Sequence, residues 1–166
     1  MTKTVSLIDE LENALASGNE SHREEMLSRM TDLFISGASR YSADQVGVFD
    51  EIIGKLAATI EAKARAKLAT RLAPIANAPA GVIHQLAFDD DIQVARPVLG
   101  LSEQLADSDL VASANTKSQQ HLAAISGRKA LSEEVTDVLV TRGDKDVVHT
   151  VTKNAGARFS YAGYRL

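Results

Sequence analysis

The stretch that decides the fold reads LAFDDDIQVARPVL over residues 86–99, and a related stretch, LVTRGDKDVVHTVT, follows over residues 139–152. The two align with a shift of 53 residues, pairing Asp91 with Asp144, Val94 with Val147 and Val98 with Val151. In each copy an apolar helix ends, the chain turns at an acidic or glycine-containing corner, and a second helix begins at an aspartate. A recurring unit of this kind is typical of stacked helical-repeat proteins.

Composition favours an all-α fold. The chain has 166 residues, of which 45% are hydrophobic and only 4% aromatic. A core of small and aliphatic side chains fits closely packed helices better than a sheet. Because the chain contains no cysteine, disulfides, thiolate metal sites and a cysteine nucleophile are excluded.

Charge and hydropathy limit the partners and the location. The formal net charge of −4 is shared equally between the two halves of the chain, so neither half has the basic excess of a nucleic-acid footprint. We find no apolar run of about 18 residues and no signal-peptide pattern after Met1. We therefore expect no membrane contact and a cytoplasmic location.

Three phrases resemble the DUF2336 family of bacterial proteins, which has no assigned function. They are LAPIANAP over residues 72–79, LAFDDDIQVARPVL over residues 86–99, and AISGRKALSEEVTDVLVTRGDKDVVHTVTKNAGARFS over residues 124–160. The resemblance covers about residues 42–166 and implies a fold of HEAT-like or leucine-rich-variant helical repeats. It implies no catalytic motif that can be transferred to this chain.

Together these observations predict a right-handed α-solenoid of short antiparallel helix pairs (HEAT-like repeats) preceded by an N-terminal helical bundle. We assign residues 1–74 to the bundle and residues 75–166 to the repeats, packed continuously on the first part. The helix that begins after Ser160 is cut off after six residues, so we expect the chain to be truncated at its C-terminus. The Asn154-Ala-Gly156 turn is typical of a left-handed helix C-cap.

Six residues are candidates for contact with a partner. Lys63, Lys67 and Arg71 lie four apart and form a basic stripe, either a contact for an acidic partner or phosphate or, as the more common case, a solvated helix face. Arg96 and His149 occupy matching positions in the two copies and are expected on one face of the stack. The Arg158 guanidinium either binds back to a helix-end carbonyl or to Asp144, which we favour, or offers a fork to a partner's carboxylate or phosphate.

The acidic corner at residues 89–91 invites a metal interpretation, but it lacks the alternate spacing, glycine and final glutamate of a calcium loop. We expect helix capping instead. An enzyme would need His84, His121 and His149 to converge on this corner, and no histidine pair has ligand spacing. We therefore predict no catalytic residue, no metal and no cofactor.

The favoured function is a non-catalytic protein–protein interaction or scaffold module with an unidentified protein partner. The alternative is a nucleic-acid-binding HEAT-like repeat protein that uses the basic stripe together with Arg128 and Lys129. Because the N-terminal helices are amphipathic and aliphatic, part of their apolar face is also expected to form a homodimer interface.

Overall fold

The computed structural model describes residues 9, 10, 12, 13, 15, 16 and 18–160. Over these residues the chain is all-helical, as predicted, and extended pairing is limited to one isolated β-bridge between Leu131 and Ala157. Residues 18–160 contain α1 (Glu20–Gly37), a 3₁₀ turn (Ala38–Arg40), α2 (Ala43–Ala57), α3 (Ala62–Leu72), α4 (Ala80–Ala87), α5 (Ile92–Leu101), α6 (Asp107–Thr116), α7 (Gln119–Ser126), α8 (Glu133–Arg142) and α9 (Lys145–Lys153). The helix predicted over residues 161–166 lies outside the described residues.

The helices pack in two rows. The odd-numbered helices form one row, since each of them contacts the next odd-numbered helix. In the second row α2 contacts α4 and α6 contacts α8, and consecutive helices such as α4 and α5 pack across the rows. None of the helices described has both the length and the apolar content needed to span a membrane.

A period of 26–27 residues relates the last three helix pairs. Helices α4, α6 and α8 begin at residues 80, 107 and 133, and α5, α7 and α9 begin at residues 92, 119 and 145. The shift of 53 residues in the sequence is therefore two periods, and the pair α6–α7 is a middle copy. The equivalent buried positions hold Val94, His121 and Val147. A histidine in place of valine makes the middle copy hard to recognise from the sequence.

Side chains cap the starts of α5, α7 and α9. Asp91 Oδ1 accepts a hydrogen bond from the Gln93 amide at 2.9 Å, and Asp144 Oδ1 accepts one from the Val147 amide at 3.0 Å. Ser118 caps α7 at the equivalent position. Each bond satisfies an amide that the first helical turn leaves unpaired, typically for about 1 kcal/mol.

Side chains from the following helix pair also cap helix C-termini. Arg142 donates a hydrogen bond to the carbonyl of Ala114, 28 residues earlier. Asn154 Nδ2 donates one to the carbonyl of Ser126 at 2.9 Å, again 28 residues earlier. Both bonds tie the pair α8–α9 to the pair α6–α7. The left-handed C-cap predicted at residues 154–156 is wrong, because within the described chain a positive φ occurs only at Gly18.

Buried aliphatic side chains form one cluster that extends from Met26 in α1 to Val151 in α9. Burying one such side chain stabilises the fold by about 1.5–3 kcal/mol. The inward faces of α3 and α5 belong to this cluster; they consist of Leu68, Ala69, Leu72, Val94, Ala95, Val98 and Leu99. Their burial fixes which side chains of these two helices point to solvent.

Candidate functional site

A groove lies between α3 and α5 on the surface of the stack. Because the two helices contact each other and turn their apolar faces inward, their polar faces meet at the surface. The groove has a volume of about 590 Å³ and is lined by Lys63, Ala66, Lys67, Thr70, Arg71, Gln93, Arg96 and Pro97. Four of the six predicted candidate residues therefore share one site.

The spacing of the cations follows from helix geometry. Lys63, Lys67 and Arg71 are four residues apart, so they lie along one side of α3 at steps of about 6 Å. Arg96 belongs to α5 on the other wall. The groove thus has a row of three cations on one wall and a fourth cation on the other.

The lining of this groove does not neutralise its positive charge, since none of the lining residues is acidic. Arg71 Nη2 pairs with Asp32 Oδ1 on α1 at 2.6 Å, and both side chains are well exposed to solvent. The other three cations are exposed and form no ion pair within the described part of the chain; they are Lys63, Lys67 and Arg96. These three cations are therefore available to pair with an anionic ligand.

Apolar atoms and a backbone acceptor accompany the cations. Ala66 and Pro97 line the groove between the charged side chains. Proline has no amide proton, so the Gln93 carbonyl lacks the usual donor four residues later in α5. The lining therefore suits a ligand that has anionic groups, small apolar groups and amide donors.

A second cavity, of about 350 Å³, adjoins the first between α1 and α3. It shares Lys67 and Arg71 with the groove but is also lined by Glu24 and Glu25. Since acids line this cavity and not the groove, the electrostatic environment for an anion is more favourable on the α5 side of Lys67.

Each carboxylate of the acidic corner already has a partner. Asp89 Oδ2 pairs with Arg65 Nε at 2.8 Å, and Asp91 caps α5 as predicted. Asp90 Oδ1 lies 2.5 Å from Lys117 Nζ, whose hydrogen bond and positive charge hold the pKa of that carboxyl below its usual 3.8. These contacts join the corner to α3 and to the turn before α7 and give no support to a metal interpretation.

The three histidines considered for an enzyme site have different environments. His121 is buried, and its Nε2 lies 2.8 Å from the Asp89 carbonyl oxygen. His84 Nε2 lies 3.6 Å from Asp109 Oδ1, and His149 is exposed on α9. His121 thus meets the acidic corner through a backbone oxygen and not through a carboxylate. Within residues 18–160 the group of acidic or histidine side chains whose ligand atoms lie within 4.8 Å of one another is Glu20, Glu24 and Glu61. Sequence reasoning missed this group, since Glu61 is distant in sequence.

The remaining candidates lie elsewhere. His149 is on α9, which α7 separates from Arg96 on α5. Arg158 is exposed, and over the described residues its guanidinium reaches neither Asp144 nor a helix-end carbonyl. Arg128 and Lys129 line a different cavity, of about 420 Å³, beyond the C-terminal end of α5. The five basic residues of the nucleic-acid alternative are thus divided between two cavities.

Exposed apolar side chains mark the face where a dimer interface is predicted. Leu33 on α1 and Val48 on α2 are 42% and 50% exposed. They line an apolar cavity of about 250 Å³ between these helices. The homodimer remains a prediction, and Leu33 and Val48 are the positions at which it can be tested.

Residues 94–166 match the family model of DUF2336, described as an uncharacterised protein conserved in bacteria. The match confirms the resemblance found in the sequence over this part of the chain. The matched residues include Arg96 on one wall of the groove. They do not include α3, which forms the other wall and lies earlier in the sequence. Neither a curated protein nor a solved structure matches the chain.

Proposed function

We propose that this chain is a non-catalytic protein-interaction module of the bacterial cytoplasm, built as an α-solenoid of HEAT-like helix pairs. The period of 26–27 residues and the two rows of helices support this architecture. Stacks of this kind bury a continuous core and leave an extended surface that is suited to holding another macromolecule.

The observation that carries the proposal is the groove between α3 and α5. Its cations come from two helices that are separated in sequence but adjacent in the stack, so the site depends on the folded repeat. It is an open surface groove, which suits a segment of a partner chain better than a small molecule. A basic stripe on α3 alone is commonly just a solvated helix face. That explanation does not account for a further cation, Arg96, on the opposite wall of the same groove.

An affinity capture from a bacterial lysate tests the proposal with three baits. The first is the unmodified chain, the second carries Lys63→Gln, Lys67→Gln and Arg96→Gln, and the third carries Lys145→Gln and Lys153→Gln. The last two positions are exposed lysines on α9, so the third bait controls for the loss of surface charge. We expect a protein that the first and third baits retain and the second loses, with nuclease having no effect.

Two results would contradict the proposal. Capture of the same proteins by all three baits would show that the groove holds no partner. Capture that disappears after nuclease treatment would favour the nucleic-acid alternative, in which Lys/Arg side chains neutralise phosphates.

A further inference from the structure

We infer that the groove between α3 and α5 binds an extended acidic segment of the partner, with acidic side chains at alternate positions. This rests on the proposed function and specifies the chemistry of what the groove recognises. Three features of the groove point to this ligand: the spacing of its cations, the absence of acids from its lining, and the ion pair between Arg71 and Asp32.

The spacing of the α3 cations matches an extended peptide. Four residues of helix advance by about 6 Å. In an extended chain each residue advances by about 3.3 Å, so alternate side chains, which point to the same side, are about 6.6 Å apart. A segment lying along α3 therefore brings one carboxylate to each of Lys63, Lys67 and Arg71. Arg96 on the other wall offers a planar fork for one of these carboxylates.

The rest of the lining also suits a peptide. The Gln93 carbonyl, whose usual donor four residues later is missing at Pro97, would accept an amide proton from the bound segment. Ala66 contributes apolar surface for the small side chains between the acids.

Asp32 on α1, which is not part of the groove lining, already holds one of the groove's cations. Its Oδ1 lies 2.6 Å from Arg71 Nη2, and a carboxylate of the partner would have to replace it there. The side chains of Asp32 and Arg71 are 65% and 38% exposed, so solvent screens the pair and it is readily exchanged. Asp32 therefore competes with the partner for Arg71, and its removal should strengthen binding.

The test is a fluorescence-anisotropy titration of the full chain against a fluorescein-labelled peptide of about nine residues, with Glu alternating with Ala. The control peptide has Gln in place of every Glu. We expect Lys63→Gln with Lys67→Gln to weaken binding of the Glu peptide about fivefold and Asp32→Asn to strengthen it about twofold. Lys145→Gln with Lys153→Gln should leave the affinity unchanged.

Glutamine is chosen because it is nearly as good a helix former as lysine, so these variants retain α3. The inference is overturned if the Glu and Gln peptides bind with equal affinity or if neither shows saturable binding. It is also overturned if the affinity for the Glu peptide is the same with and without Lys63 and Lys67. So does tighter binding, at the same cations, of a single-stranded oligonucleotide of equal charge. If the lysate experiment yields a groove-dependent partner while the Glu peptide fails, the interaction function stands and only its acidic chemistry is rejected.

Discussion

Arg128 and Leu99 are joined across neighbouring helix pairs, with the guanidinium Nη1 donating a hydrogen bond to the Leu99 carbonyl at 2.7 Å. The other end of the fork, Nη2, donates to the Ser102 carbonyl, also at 2.7 Å. Burial lowers the pKa of Arg128 below its usual value, and the charges of Asp107 and Glu103 partly offset this. The guanidinium stays protonated, so it holds the C-terminal end of α5 to the next pair.

Replacing this fork should loosen the stack. Arg128→Met keeps much of the side-chain volume but leaves two helix-end carbonyls without their donors, and we expect it to lower the free energy of unfolding by about 2 kcal/mol. Urea titration followed by circular dichroism measures the change. Lys129→Met, at the exposed neighbouring position, should change stability by less than about 0.5 kcal/mol. Equal effects of the two substitutions would mean that the cap contributes nothing.

Two glycines should respond to alanine with opposite signs. A Cβ at Gly156 would collide with the carbonyl group of Lys129, so Gly156→Ala must move the backbone and should cost about 2 kcal/mol or more. Gly47 lies in the exposed face of α2 with open space around it, and Gly47→Ala should stabilise by about 0.5–1 kcal/mol. Thermal unfolding of both variants checks the pair. A stable Gly156→Ala protein would contradict the close approach.

The sequence correctly predicted those structural features that depend on residues close together in the chain. The caps at Asp91 and Asp144 follow from residues within one helical turn, and the all-helical fold follows from composition. Which side chains face each other across helices depends instead on packing between elements that are distant in sequence. The sequence accordingly paired Arg96 with His149, equivalent positions two periods apart, whereas the structure places Arg96 opposite the α3 cations. For Asn154 the local pattern suggested a left-handed C-cap. Its Oδ1 does accept a local hydrogen bond from the Gly156 amide, but its Nδ2 donates to the carbonyls of Ser126 and Arg128, 28 and 26 residues earlier.

The exposed apolar side chains of α1 and α2 should control self-association. We expect the chain to sediment as a dimer at micromolar concentration and Leu33→Asp with Val48→Asp to make it monomeric, because charges in an apolar interface lose their hydration. Leu101→Asp is the matched control, since Leu101 is 65% exposed outside this face. A wild-type chain that is strictly monomeric in sedimentation velocity would reject the dimer.

The ion pair between Asp90 and Lys117 should make stability depend on pH. Because Lys117 holds the pKa of Asp90 below its usual 3.8, the unfolded chain binds this proton more readily than the folded one. The stabilisation is therefore complete above about pH 3.8 and is lost as the pH falls through the lowered pKa. Asp90→Asn should be less stable than the wild type near neutral pH, with a gap that closes as acid is added, as followed by urea unfolding. In a Lys117→Met background, Asp90→Asn should not change the free energy of unfolding. A difference that persists in this background, or that is the same at every pH, would mean that the asparagine itself destabilises the fold and that the ion pair does not.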